Sequence, residues 1–374
     1  MKYFLLFGIG QGLLLFLALA YKSAINKNNA WLIGLFVLFI SAILSGPLLN
    51  EWLGEPAGSF LVDPLILLIG PSFYLYIRSF SAKPKAKDYL LHGLPFLLYL
   101  PVLAVFYHTA VRSALSQPSL QTVYSSAFAV SIGLLKFLHL FLYVSLSFSA
   151  LRAHRAKVKR VFADLEGKDL AWLRYMLGAF VFLAAISLVL YVAALQYPAY
   201  QNQLTLLNLA LLSAFILTLS FYAFHQHTLF DYAGSRADTT SIEEVMEEKS
   251  APKYEKSGLA PDEAAEIEKK IRAFIEAKGY LDPNVTMGAL SVHIGVPPHK
   301  VSEVLGKYMA TSFYDLINRH RVEDIKRALR DPALAHLTLL AIAYDYGYNS
   351  KSTFNAAFKK FTGRTPSAFK NASA

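Results

Sequence analysis

The chain has no cysteine at any of its 374 positions. Disulfides, thiolate nucleophiles, Cys-ligated zinc and iron–sulfur clusters are excluded together. Charge is also scarce, with Asp, Glu, Lys and Arg at 17% of residues against about 25% in ordinary soluble domains. The scarcity is local. Up to residue 225 apolar runs follow one another closely, and beyond 231 the sequence turns polar and charged, so two parts of different physical class are expected. Catalytic signatures are missing as well: the chain has no Walker-type phosphate loop, no zinc-protease helix and no Gly-x-Ser-x-Gly elbow. His225 and His227 share a spacing that suits a metal, but no third ligand lies nearby in the sequence. Neither an enzyme nor a cofactor is expected. Where charge is present it leans one way, 36 Lys and Arg against 26 Asp and Glu, for a net +10. That balance suits an anionic partner, either a phosphate backbone or a lipid surface.

A helix needs roughly 20 apolar residues to cross a bilayer. Seven stretches qualify, at 3–21, 31–49, 60–80, 89–108, 123–150, 172–195 and 204–224. Their flanks hold Tyr3, Tyr21, Trp31, Tyr89, Tyr124 and Trp172, residue types that favour the lipid–water boundary. Lys and Arg collect in alternate loops: Lys22 and Lys27, then Lys83, Lys85 and Lys87, then Arg152, Arg155, Lys157, Lys159, Arg160 and Lys168. The positive-inside rule places these loops in the cytoplasm. The expected topology in the cell (inner) membrane has the N-terminus outside and everything after 225 inside. Lys2, an apolar run and "ALA" at 18–20 also resemble a cleavable signal peptide. Cleavage there would turn every basic loop outward, so the positive-inside rule opposes it.

The second part opens with residues 226–258, whose weak apolar pattern and cluster Glu243, Glu244, Glu247 and Glu248 read as a cytoplasmic linker. From 259 to 374 only helix signals occur, so the fold class is all-α throughout. Pro261 with Asp262 and Glu263 opens a helix that Gly279 is expected to close, and Ser312 with Asp315 suggests a capping box for a long helix to Leu329. On either side of that helix one unit occurs twice, a short helix, a tight turn and a second helix, at about 286–309 and 338–361. The copies are "TMGALSVHIGVPPHKVSEVLGKYM" and "TLLAIAYDYGYNSKSTFNAAFKKF". Periodicity expects Ala289, Leu290, Val301 and Leu305 in one core, and Ile342, Ala343, Phe354 and Phe358 in the other. The free face of each second helix then suits a major groove. From Arg319 onward ten Lys and Arg oppose Glu323, Asp324, Asp331 and Asp345, an electrostatic footprint for phosphates.

Residues 286–370 resemble the DNA-binding domain of AraC-type transcriptional regulators. The resemblance rests on Ile342-Ala343, Gly347-Tyr348, Phe354, Phe358-Lys359-Lys360, Gly363 and Thr365-Pro366, and it covers under a quarter of the chain. Tyr348 stands where the family more often has Phe, and Glu303 where a basic residue is common. The resemblance implies double-stranded promoter DNA as partner. It implies contacts from Pro298, His299, Lys300, Ser302, Glu303 and Lys307 in the first copy, and from Asn349, Lys351, Ser352, Asn355 and Lys359 in the second. The family's usual soluble sensing domain is replaced by the seven spans. The expected whole is therefore a membrane-integral regulator whose bilayer part receives a small-molecule or envelope signal, with a second copy of the chain as a further possible partner.

Ionisable groups inside spans point to function. Asp63, Lys136 and His139 are the ligand-sensing candidates, the last two on one helix face. Lys136 fits pairing with a neighbouring helix equally well, and Gln11 and Asn208 fit interhelical hydrogen bonding. The alternative for the whole chain is a receptor or transporter whose helical tail binds a protein.

Overall fold

A computed structural model describes residues 2–53, 57–115, 127–165, 168, 170–225 and 259–373. The linker 226–258 with its acidic cluster, and His227, lie outside the described residues. The chain divides into two compact units, Met1–Arg152 with Leu170–Ser235, and Ala153–Asp169 with Arg236–Ala374. Among the described residues both are helical, without a strand; a single antiparallel bridge pairs Phe162 with Thr286.

In the first unit the helices are α1 (Lys2–Asn26), α2 (Ala30–Leu44), α3 (Gly46–Leu53), α4 (Ala57–Val62), α5 (Ile66–Ser79), α6 (Ala86–Leu115), α7 (Ala127–Val161), α8 (Ala171–Gln196) and α9 (Gln201–His225). Helix α7 passes into the second unit after Arg152. Six of the described helical stretches are long and apolar enough to cross a membrane, or seven if α2 and α3, bent by 46°, make one span. The expected span at 31–49 bends at Ser45, beside Pro47, whose ring cannot continue the hydrogen-bond ladder. The third span, Ala57–Ser79, stays one stretch but passes through a 3₁₀ turn at Asp63–Leu65 containing Pro64.

Small residues bring these helices together. A Cβ on Gly8 would lie 2.0 Å from the Ser213 hydroxyl of α9, and one on Gly12 would lie 1.8 Å from that of Ser41 on α2. The four-residue spacing of Gly8 and Gly12 therefore serves two different neighbours of α1, the close approach that small-xxx-small patterns permit. Phe36 is fully buried, with ring centroids of Phe73, Phe180 and Phe215 at 5.1, 5.1 and 6.4 Å. Outside, large apolar side chains stand uncovered: Phe7, Leu14, Leu90, Leu98, Phe182 and Phe221 are each at least 60% exposed. Water strongly disfavours such surfaces; hydrocarbon does not.

The second unit contains α10 (Pro261–Glu276), α11 (Met287–Ile294), α12 (Pro298–Glu303), α13 (Phe313–Ala328), α14 (Leu339–Asp345), α15 (Lys351–Thr362) and α16 (Pro366–Ser373). Thr286, Ser312, Thr338 and Ser350 each accept a backbone N–H three residues on, from Ala289, Asp315, Ala341 and Thr353, as N-caps do. Only half of the expected capping box forms, because the Asp315 carboxylate accepts from Lys360 at 2.5 Å instead. Gly279 does not supply the left-handed turn after α10. Lys278 does, with φ +57°, and Gly279 lets the Phe274 ring pack close, since a Cβ there would meet that ring at 2.2 Å. The second helix of the first copy, expected to run to its end near 309, is α-helical only to Glu303 and then widens into a π turn, Val304–Tyr308, where Met309 N–H bonds the Val304 carbonyl at 3.0 Å.

Candidate nucleic-acid interface

Each copy of the repeated unit is built around its own core. In the first, Met287, Leu290, Ile294, Val301, Val304 and Leu305 are buried, whereas Ala289 faces out, contrary to expectation. Met287 occupies the inward position directly after the cap and leaves Ala289 on the opposite side. In the second, Ile342, Ala343, Phe354 and Phe358 are buried as expected, joined by Tyr348 and Ala357. Gly295 (φ +67°) and Gly347 (φ +86°) turn the chain between the helices of each copy. At Gly347 space is limiting as well: a Cβ would sit 2.6 Å from the Leu281 carbonyl oxygen and 3.0 Å from Arg321 Nε.

That arginine joins the second copy to the turn that precedes the first. Arg321 is 1% exposed, donates to the carbonyls of Tyr280 and Asp282 at 2.7 Å each, and lies 5.4 Å from the Tyr348 ring centroid. It therefore leaves the basic surface in which the sequence places it. A sequence signal did exist, since Phe313, Ile317, Arg321 and Ile325 follow one another at four-residue spacing along one face of α13. Beside it the Tyr280 hydroxyl donates to Asp324 at 2.5 Å, and Arg327 donates to the other carboxylate oxygen at 2.7 Å. Burial, with Asp324 adding to it, pushes the Tyr280 hydroxyl up to about 12.

Sequence reasoning missed a third contributor. Ala153–Asp169, the basic C-terminal end of α7 and the residues after it, belongs to this unit. Val158, Val161, Phe162 and Leu165 form a buried cluster with Tyr314 of α13, and Ala163 enters the core of the first copy. The Ala163 carbonyl accepts from the buried Asn318 amide at 2.9 Å, and Asp164 accepts from the Thr353 hydroxyl of α15 at 2.5 Å. With the bridge from Phe162 to Thr286, one short segment touches α11, α13 and α15 together. Only the apolar residues within the basic run, Val158, Val161 and Phe162, hinted at this.

The outward faces differ in their partners. On α12 Lys300 pairs with Glu263 at 2.5 Å, and Glu303 pairs with Lys307 at 2.5 Å, which holds the Lys307 ammonium above its ordinary range. Pro298, His299, Ser302 and Glu303 are half-buried, and the last three border a cleft of about 770 Å³ with Lys307 and Arg160. On α15 Lys351, Ser352, Asn355 and Lys359 share one exposed face. Among the described residues Lys351, Asn355 and Lys359 make no ion pair or side-chain hydrogen bond; Ser352 lies 3.3 Å from the Ser350 hydroxyl. Asn349 is exposed, but its amide donates to the Pro283 carbonyl at 3.0 Å and ties the second turn to the segment just before the first copy.

The three membrane candidates do not all meet. Lys136 donates to both Asp63 oxygens, at 2.7 and 2.6 Å, across 73 residues. His139 points elsewhere, its ring 4.8 Å from that of Tyr143. Asn208 accepts from Ser187 at 2.7 Å, the interhelical role expected of it.

No curated protein and no solved structure matches the chain. Residues 290–372 match a family model described as a helix-turn-helix domain. With two helix-turn-helix units on one linking helix, this C-terminal segment is an AraC-type helix-turn-helix domain.

Proposed function

We propose that the chain is a membrane-integral, sequence-specific regulator that binds promoter DNA through its C-terminal domain in response to a membrane or envelope signal. The observation that supports this best is α15, whose exposed face presents Lys351, Ser352, Asn355 and Lys359 over buried Phe354 and Phe358. Asn355 suits bidentate bonding to adenine, and Lys351 and Lys359 suit phosphates. In the first copy Pro298, His299, Lys300, Ser302, Glu303 and Lys307 form the second contact surface. There Glu303 either accepts from cytosine N4 or holds Lys307 away from phosphate. Asn349 contributes by aligning the second copy with the segment just before the first. The apolar helices anchor the chain with its N-terminus outside and its basic loops, including the one docked on the DNA-binding domain, in the cytoplasm. Helix α7 links the two functions within one element, with Lys136 near its start and Val158 near its end.

The test uses the full-length protein in lipid nanodiscs. Duplexes selected by the protein from a random library are compared with unselected ones at two salt concentrations. Selective binding that weakens steeply with salt is expected; no affinity for any duplex at low salt sinks the proposal. Reporter fusions after residues 25, 85, 160 and 235 should register as cytoplasmic, and those after 55, 115 and 200 as external. A C-terminal reporter active only outside overturns the topology.

A further inference from the structure

The first unit holds a cavity of about 360 Å³, within the size range of small-molecule sites. Its walls come from α4, the 3₁₀ turn after it, the start of α5, and α6, α7, α8 and α9, and they are mostly apolar, including Phe60, Phe106, Phe137 and Leu190. Ser59, Tyr191, Gln201 and Thr205 add polar atoms to those walls, and two hydrogen-bonded groups stand out. One is the Asp63–Lys136 pair with Tyr99, whose hydroxyl donates to Asp63 at 2.7 Å and whose ring centroid lies 4.7 Å from the ammonium. The other is the Ser187–Asn208 hydrogen bond between α8 and α9.

From this arrangement we infer that the cavity binds an uncharged amphiphile with an apolar body and one head, an alcohol or an amide, that both donates and accepts a hydrogen bond. The inference deepens the sensing half of the proposed function and rests on it. Charge comes first. Asp63 and Lys136 sum to zero, so a charged ligand would bring an uncompensated charge among apolar walls, where it is strongly disfavoured. Hydrogen-bond capacity comes second. Asp63 Oδ2 accepts from both Lys136 and Tyr99, while Oδ1 accepts from Lys136 alone. A carboxylate oxygen has room for about two donors, so Oδ1 keeps one acceptor position, and the Asp63 side chain is the more exposed of the pair, 34% against 13%. The Ser187 hydroxyl holds the Asn208 carbonyl oxygen, which leaves the amide NH₂ of this lining residue on α9 as a donor. A ligand head that donates to Asp63 and accepts from Asn208 satisfies both; a hydrocarbon chain satisfies neither.

Binding of radiolabelled N-methyldecanamide and of 1-decanol to the full-length protein in phosphatidylcholine nanodiscs tests this, with decanoate and decylammonium as charged counterparts. Saturable binding of the neutral probes is expected, roughly tenfold weaker in Ala194→Trp, whose indole occupies the space a ligand needs. Leu204→Trp fills the same cavity from α9 and replaces Ala194→Trp should that variant misfold. Equal uptake by wild type and the filled variants means partition into lipid and overturns the inference. So does an absence of saturable binding, and so does binding of a charged probe as tight as that of the neutral ones. DNA affinity is measured separately on the same samples. Amide binding without DNA binding would sink the regulator reading alone, and DNA binding without amide binding would sink this inference alone.

Discussion

The two helix-turn-helix copies share a scaffold and differ in what their outward faces are already doing. Each has a capped first helix, a left-handed glycine in the turn and a second helix rooted by apolar residues. On α12 the charges are matched within the protein, Lys300 by Glu263 and Lys307 by Glu303. On α15 Lys351 and Lys359 have no such match among the described residues, and only Lys360, one step round the helix, is paired, with Asp315. Surface ion pairs are weak, about 0–1 kcal/mol. Breaking one to reach a phosphate costs little, but it does lower the gain. Under the proposed function, α15 is therefore expected to carry the larger share of DNA affinity and α12 a smaller, adjustable share.

The strongest test removes one root at a time. Phe358→Ala deletes a fully buried ring and should cost about 3–5 kcal/mol, while Leu305→Ala in the first copy should cost about 2–5 kcal/mol. Denaturant unfolding measures both. If α15 dominates, Phe358→Ala loses more DNA affinity than Leu305→Ala at matched loss of stability; the reverse order breaks the comparison. Next comes Asn355→Ala, expected to lose about 1–3 kcal/mol of discrimination between selected and random duplexes while the fold is kept. Unchanged discrimination would remove Asn355 as a reader.

Charge changes should act more gently. Lys359→Ala should reduce the salt slope by roughly one unit, and Glu303→Gln, which releases Lys307, should steepen it by roughly one. Opposite signs sharpen the contrast between the copies; a flat response to Glu303→Gln would mean that α12 stays clear of phosphate. The smallest effect concerns the helix between the copies. Burial holds the His320 imidazole below its ordinary value of 6.5, and its ring stacks on Tyr280 with centroids 5.5 Å apart. As pH falls the unfolded chain takes up this proton first, so stability is full above about pH 6.5 and declines below it. Thermal unfolding at about pH 7.5 and pH 5.5 should show less of this decline in His320→Gln than in wild type.

Much of this was legible in the sequence for definite physical reasons. Capping residues act locally, so Thr286, Ser312, Thr338 and Ser350 could be assigned from their neighbours alone. Apolar length marks helices suited to hydrocarbon whatever they pack against. Pairings across long separations were not legible. Nothing near Asp63 announces Lys136, and Lys300 reads as a free cation until α10 brings Glu263 beside it. Arg321 was misread because a cation on a basic helix and one buried under Tyr348 look alike until the carbonyls of Tyr280 and Asp282 are placed.

The docking of Ala153–Asp169 onto the DNA-binding domain bears on the order in which the protein can be made. Asn318 lies 155 residues after its partner Ala163, and Thr353 lies 189 residues after Asp164. The ribosome therefore completes the segment long before the surfaces that cover it exist. Closing so long a loop is a late and slow kind of step, though its entropic cost grows only by about 0.6 kcal/mol for each doubling of length. Val158, Val161 and Phe162 must wait uncovered until α13 and α15 are synthesised, so the DNA-binding domain finishes folding on a template laid down before its own first residue.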